Sequence, residues 1–69
     1  MGDYYNVNKI AQANGDHEVH TAGCTDRPRV ENRIELGYFT SCVSAVAEAK
    51  KHYWQSNGCY WCSRPCHTS

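Results

Sequence analysis

The sequence predicts a small α+β domain, in which a three- to four-stranded antiparallel sheet carries one helix on one face. Strand-like segments precede a single stretch with helical periodicity, so the expected element order is β-β-β-α-β. The chain then closes with a cysteine knuckle near its C-terminus. With 69 residues it forms one small domain, 1–69, that cannot bury a large core. Domains of this size commonly need a metal, disulfides or a partner for stability.

The first two strands are expected to form a hairpin. Residues 4–10 alternate loosely and are rich in Tyr and Val, which is typical of a strand. Asn14 and Gly15 follow, and this pair is typical of a type I′ turn, whose two central residues both need a positive φ. Residues 17–21 then form the return strand.

The return strand is expected to direct its two histidines to opposite faces. Successive side chains of a strand point to opposite sides of the sheet, so Glu18 and His20 share one face. His17 lies on the other face. The two histidines are therefore poorly placed to bind the same ion.

A loop and a third strand follow the hairpin. Residues 23–32 contain a proline and several charges without a period, which indicates a loop. Residues 34–39 form an apolar-rich strand. Its alternation places Ile34, Leu36 and Tyr38 on one face, which we expect to be the face toward the helix.

The helix is the element with the clearest signal. Thr40 or Ser41 can cap its first turn with a side-chain hydrogen bond, and the pattern runs to about His52 or Tyr53. An inward stripe is formed by Cys42, Ala45, Val46, Ala49 and Tyr53. At this position Cys42 is expected to act as a small core residue, with a disulfide to Cys24 or a metal role as alternatives.

The segment after the helix indicates a zinc site. Cys59 and Cys62 have CxxC spacing, in which a tight turn directs both sulfurs to one ion. Cys66 is the natural third ligand. Zinc takes thiolate sulfur and imidazole nitrogen in a tetrahedral arrangement, and a complete set of four protein ligands stabilises folding directly.

The fourth ligand must come from another position. We favour Cys24, because the loop after the second strand can reach the C-terminal segment. His20 and His67 are the alternatives. His67 is the less suitable of the two, since it follows Cys66 directly and adjacent residues seldom both bind one ion.

Two other states of the cysteines stay open. Cys59 and Cys62 could cycle between dithiol and disulfide in a thiol-active protein, or disulfides could staple the domain. The five cysteines cannot all pair with one another. The N-terminus shows no basic and apolar regions of a secretory signal, so a cytoplasmic protein is expected, in which clustered cysteines more often bind metal.

Composition limits the partners. Seven basic and seven acidic side chains give zero formal charge, so nucleic acid is an unlikely partner, and only Arg27, Arg29 and Arg33 suggest a local basic patch. No apolar run is long enough for a membrane helix. A closed zinc site favours a binding or adaptor role over catalysis, without excluding an enzyme. We expect an unknown protein partner, and pairing of edge strands leaves a homodimer open.

A resemblance spans most of the chain. It is carried by Gly15-Asp16-His17-Glu18-Val19-His20, Leu36-Gly37-Tyr38-Phe39, Gly58-Cys59-Tyr60-Trp61-Cys62 and Cys66-His67. With these motifs the chain resembles short bacterial reading frames of unknown function, some of them carried on mobile elements. The resemblance implies no activity. A more general similarity, to small ββαβ domains in which an Asn-Gly hairpin precedes one helix, concerns the fold alone.

Overall fold

The structure, a computed structural model, describes residues 2–25 and 27–67. Its elements are β1 (Asp3–Asn8), β2 (His17–Thr21), a 3-10 turn (Val30–Asn32), β3 (Arg33–Phe39), α1 (Cys42–Ala49), β4 (Ser56–Gly58) and a second 3-10 turn (Arg64–Cys66). Helix α1 packs on the sheet. The predicted α+β class and the β-β-β-α-β order are confirmed.

The sheet is mixed, which corrects the predicted antiparallel arrangement. Its strand order is β3-β1-β2-β4, and β1 is antiparallel to both of its neighbours. Strand β4 instead runs parallel to β2, with His17 opposite Ser56 and Val19 opposite Gly58. The reason is the connection through α1: a helix that crosses the sheet between β3 and β4 returns the chain in its original direction.

The β1–β2 hairpin forms, but its connection is longer than a type I′ turn. Residues 9–16 link the strands. Gly15 has a φ of 94°, whereas no described non-glycine residue, Asn14 included, has a positive φ. The Asn14 side chain instead accepts a hydrogen bond from the Asp16 amide (2.9 Å), which is the local turn that asparagine commonly makes.

A β-bulge in β3 changes which side chains face inward. The pairing of β1 with β3 shifts register near Gly37, whose φ is 105°. One extra residue reverses the alternation of side chains beyond the bulge. Ile34 and Leu36 pack against the core as predicted. Phe39 replaces Tyr38 there, and Tyr38 is 55% exposed.

The core lies between the sheet and α1, and the predicted inward stripe of the helix is confirmed. The buried residues of this core are Tyr5, Val7, Val19, Cys42, Ala45 and Ala49. The helix ends at Ala49, earlier than predicted, and residues 50–52 continue as turns. Ser41 is the N-cap residue by backbone geometry, but its side chain makes no capping hydrogen bond. Among the described residues no helix is long and apolar enough to cross a membrane.

Candidate metal centre

The five cysteines divide into one disulfide-bonded pair and three cysteines outside that disulfide. Cys42, the first residue of α1, is bonded to Cys66 in the second 3-10 turn. This corrects the expectation that Cys66 binds the metal and that Cys42 is an unbonded core residue. The 3-10 turn brings Cys66 against the core on the side of the helix, where Cys42 is buried. Cys24, Cys59 and Cys62 form no disulfide.

The three cysteines outside the disulfide converge with a histidine. The ligand atoms of His20, Cys24, Cys59 and Cys62 all lie within 4.8 Å of one another. His20, Cys24 and Cys59 are buried, and Cys62 is half-buried. The cluster thus brings together three of the four residues favoured from the sequence, and His20, one of the two alternatives, takes the position expected for Cys66.

The parallel pairing of β2 and β4 explains how the sulfurs meet. Both strands end at the same edge of the sheet, so the residues that follow them enter the same region. Cys24 comes three residues after β2, and its amide donates to the Thr21 carbonyl oxygen (3.1 Å). Cys59 follows β4 directly, and its amide donates to the Val19 carbonyl oxygen (2.9 Å). An antiparallel β4 would have delivered the CxxC segment to the opposite end of β2.

Strand alternation selects His20 rather than His17. Val19 is fully buried in the core beneath α1, so its neighbour His20 points to the other side of the sheet, as does Glu18. His17 packs on the helix side, where its ring stacks on Tyr53 with 3.8 Å between centroids. The prediction that the two histidines do not share an ion agrees with this arrangement.

A tight turn holds the two cysteines of the CxxC segment in place. The Ser63 amide donates to the Cys59 carbonyl oxygen (2.9 Å) and closes the turn. The Thr21 amide donates to the Cys62 sulfur (3.3 Å). Backbone amides of Trp61 and Cys62 also donate to the sulfur of Cys59. Amide donors of this kind stabilise negative charge on sulfur, which is the form that binds a metal.

The environment shifts the pKa values of these two thiols in opposite directions. Burial raises the pKa of Cys59, and the hydrogen bonds from the backbone amides offset this only in part. Burial also acts to raise the pKa of Cys62, but hydrogen bonds, that from the Thr21 amide foremost, hold the pKa of Cys62 below its usual range. Cys62 is therefore the thiol of this pair that is more easily deprotonated.

The ring of His20 has one nitrogen toward the thiols and one toward a carboxylate. Its Nδ1 lies 3.9 Å from the Cys62 sulfur, and its Nε2 lies 3.5 Å from Oε1 of Glu18. Metal-binding histidines usually direct the second ring nitrogen toward a carboxylate or carbonyl, which fixes the tautomer and the ring orientation. In this arrangement Nδ1 is the ring nitrogen that faces the Cys62 sulfur.

The cluster fits a tetrahedral zinc ion in donor type and in size. With Zn–S bonds of about 2.3 Å, a tetrahedron places two sulfurs about 3.8 Å apart. The sulfurs of Cys24 and Cys59 are separated by 3.9 Å. Since all ligand atoms lie within 4.8 Å, closure on an ion needs shifts of no more than about 1 Å.

Charge near the cluster also suits a thiolate site. Three thiolates and one divalent cation leave a net charge of −1. The Arg27 guanidinium donates to the Cys24 carbonyl oxygen (2.9 Å), so a positive side chain lies beside the cluster. His67, the other alternative ligand, lies outside the cluster, because its Nδ1 donates to the Gly58 carbonyl oxygen (3.1 Å).

Compared with family models, with curated proteins and with solved structures, the chain matches none. The resemblance to short bacterial reading frames stays a prediction. The geometry and chemistry of the His20, Cys24, Cys59 and Cys62 cluster are therefore the basis on which a function can be proposed.

Proposed function

We propose that the protein is a small binding or adaptor module whose fold is stabilised by a structural zinc ion. His20, Cys24, Cys59 and Cys62 would supply its four ligands. The observation that carries the proposal is the convergence of one nitrogen and three sulfurs within 4.8 Å, from segments distant in sequence. Four protein ligands complete a tetrahedral shell, which is the arrangement of structural rather than catalytic zinc.

The small size of the domain explains why a structural ion would be needed for stability. A core of six buried side chains leaves little stability after the entropy of ordering the chain. The ion would tie the end of β2 and the loop after it to the segment after β4. Structural zinc supplies about 10–16 kcal/mol of apparent binding free energy in zinc-finger peptides, enough to decide whether such a domain folds.

Metal analysis and thiol counting test the proposal together. Protein purified without added metal should contain one equivalent of zinc, and the three cysteines outside the disulfide should react with a thiol reagent only after chelation. Cys24→Ser should abolish tight zinc binding, whereas the double variant Cys42→Ser/Cys66→Ser, which removes only the disulfide, should retain it. Less than half an equivalent of zinc in the native protein would contradict the proposal.

A thiol-active protein is the second candidate. It is favoured by Cys62, whose pKa is lowered, and by the partial exposure of this sulfur. Such a protein would form a disulfide between Cys59 and Cys62 when an external disulfide accepts the two electrons and two protons. Intact mass without reductant separates the candidates: zinc protection leaves the mass of one disulfide, whereas redox activity gives the mass of two.

The cytoplasmic location stays a prediction. Free clustered thiols suit a reducing compartment, whereas the Cys42–Cys66 disulfide is more typical of an oxidising one. We propose a cytoplasmic protein on the basis of the zinc cluster. The state of Cys42 and Cys66 in protein isolated with rapid thiol blocking is the measurement that bears on it.

A further inference from the structure

The turn between the proposed zinc ligands carries an exposed group of aromatic and cationic side chains, which we call the knuckle platform: Tyr60, Trp61 and Arg64. Trp61 is 73% exposed and Tyr60 is 40% exposed. Their rings meet edge to face with 4.8 Å between centroids. The Arg64 guanidinium lies over the Tyr60 ring, 5.0 Å from its centroid.

The platform is held in position by the turn that forms the zinc site. Tyr60 and Trp61 lie between Cys59 and Cys62, so metal binding would fix their backbone at both ends. The His67 ring contacts the edge of Tyr60 at 5.4 Å between centroids. The platform is therefore preformed, and a ligand would not have to order it on binding.

Charge is distributed unevenly along a chain that is neutral overall. All seven acidic residues lie at or before Glu48, so residues 49–69 contain three Lys or Arg residues and no carboxylate. Arg64 belongs to the platform itself, and Arg27 lies beside the zinc cluster, hydrogen-bonded to Cys24. The C-terminal segment that carries the platform thus contributes cationic side chains and no carboxylate to a chain that is neutral overall.

We propose that the knuckle platform binds single-stranded nucleic acid, with a base stacked on Trp61 and a backbone phosphate at Arg64. This inference rests on the proposed zinc-stabilised binding module and names its class of partner. A ligand for this surface must offer a flat π face to the indole and a negative charge to the guanidinium nearby. Each nucleotide of an unpaired strand offers both.

Other ligands satisfy only one of the two features. An acidic peptide matches the charge but presents no stack of planar rings. A duplex matches the charge but keeps its base faces inside the helix. Binding of an acidic peptide or of a duplex as tightly as a single strand would therefore contradict the proposal.

The two tryptophans provide a matched experiment. Trp54 is 84% exposed and precedes β4, whereas Trp61 follows it. In Trp54→Phe the only indole is Trp61, and titration of the zinc-loaded protein with oligo(U) or oligo(dT) at low salt should quench its fluorescence. In Trp61→Phe the remaining indole, Trp54, should show no quenching.

Affinity measurements extend the test. Trp61→Ala should weaken oligonucleotide binding roughly 5- to 150-fold, the range expected for loss of one base-stacking ring. Trp54→Ala is the control and should leave the affinity unchanged. Arg64→Gln should weaken binding and reduce the slope of log affinity against log salt by about 1.

Zinc content, measured on the same samples, separates the two proposals. Stoichiometric zinc without binding of either oligonucleotide would overturn the nucleic-acid inference and would leave the structural-zinc proposal intact. Protein that contains no zinc would overturn the structural-zinc proposal directly. Equal weakening by Trp61→Ala and Trp54→Ala, with zinc content unchanged, would also overturn the platform as the binding surface.

Discussion

At the scale of single residues, the candidate centre depends on the orientation of His20. The ring is buried, with Nδ1 near Cys62 and Nε2 near Glu18. A carboxylate that accepts a hydrogen bond from the Nε2–H group favours the tautomer in which Nδ1 carries the lone pair, and it raises the basicity of that nitrogen. Glu18 is thus a positioning residue for the proposed zinc ligand.

Glu18→Gln should weaken zinc binding about 10- to 100-fold, because an amide is a poorer partner for the imidazole than a carboxylate. Competition with a chromophoric chelator at fixed pH measures the change. Glu48→Gln is a matched control, since Glu48 pairs with Lys51 on the surface of α1. Equal zinc affinities for the two variants would show that Glu18 does not position His20.

Single-residue features were predictable where the signal is local. The CxxC spacing of Cys59 and Cys62 and the position of Cys24 after a strand indicated three members of the cluster. Alternation placed His20 beside Glu18, but nothing in the spacing ranked it above Cys66. The choice between His20 and Cys66 depends on the disulfide of Cys66 with Cys42. These two cysteines are 24 residues apart in sequence and meet through the packing of α1.

At the scale of elements, Gly58 at the end of β4 controls how closely the C-terminal segment approaches the sheet. A Cβ at this position would lie 2.7 Å from the Ser63 carbonyl oxygen and 2.8 Å from the Cβ of Cys66. Both distances are shorter than packed atoms allow. Either β4 or the segment over residues 63–66 would have to move.

Gly58→Ala should therefore destabilise the protein by about 1–3 kcal/mol, the usual effect of overpacking, and should weaken zinc binding because Ser63 closes the turn of the centre. Denaturant unfolding with zinc bound measures the first effect. At Gly23 a Cβ would meet nothing within 4 Å, so Gly23→Ala is the control and should be neutral or slightly stabilising. Similar losses in both variants would contradict the packing explanation.

The sequence predicted the existence of most elements but not their directions. Periodicity in α1 and alternation in β2 are strong signals, and both elements were found, although the helix ends earlier than predicted. Strand β4 has only three residues, and no pattern in them indicates a parallel partner. The bulge near Gly37 also reversed which side chain faces inward at the end of β3. The sequence did not predict this reversal, because a glycine in a strand does not by itself indicate which residue becomes the extra one.

At the scale of the whole molecule, the disulfide and the proposed zinc ion would cross-link different parts of the fold. The Cys42–Cys66 disulfide joins α1 to the C-terminal turn, and the proposed zinc ion joins that same C-terminal segment to the end of β2. The segment after β4 is thus held to both the helix and the sheet. Each cross-link adds stability that the small core does not supply.

Removing the disulfide should reduce stability without removing zinc. For a sequence separation of 24 residues, loop-closure entropy predicts a loss of about 3.5 kcal/mol in Cys42→Ser/Cys66→Ser. Denaturant unfolding of the zinc-loaded double variant and of the native protein gives the difference. Loss of zinc from the double variant would show that the disulfide and the centre are a single unit.

X-ray absorption at the zinc edge tests the central claim most directly, because it counts the ligand atoms by type. The protein with one bound equivalent should give three sulfurs at about 2.3 Å and one nitrogen at about 2.0 Å. The scattering from the outer atoms of the imidazole ring should disappear in His20→Ala. A shell of four sulfurs would place Cys66 on the metal in place of His20, and a shell of oxygen and nitrogen alone would contradict the centre altogether.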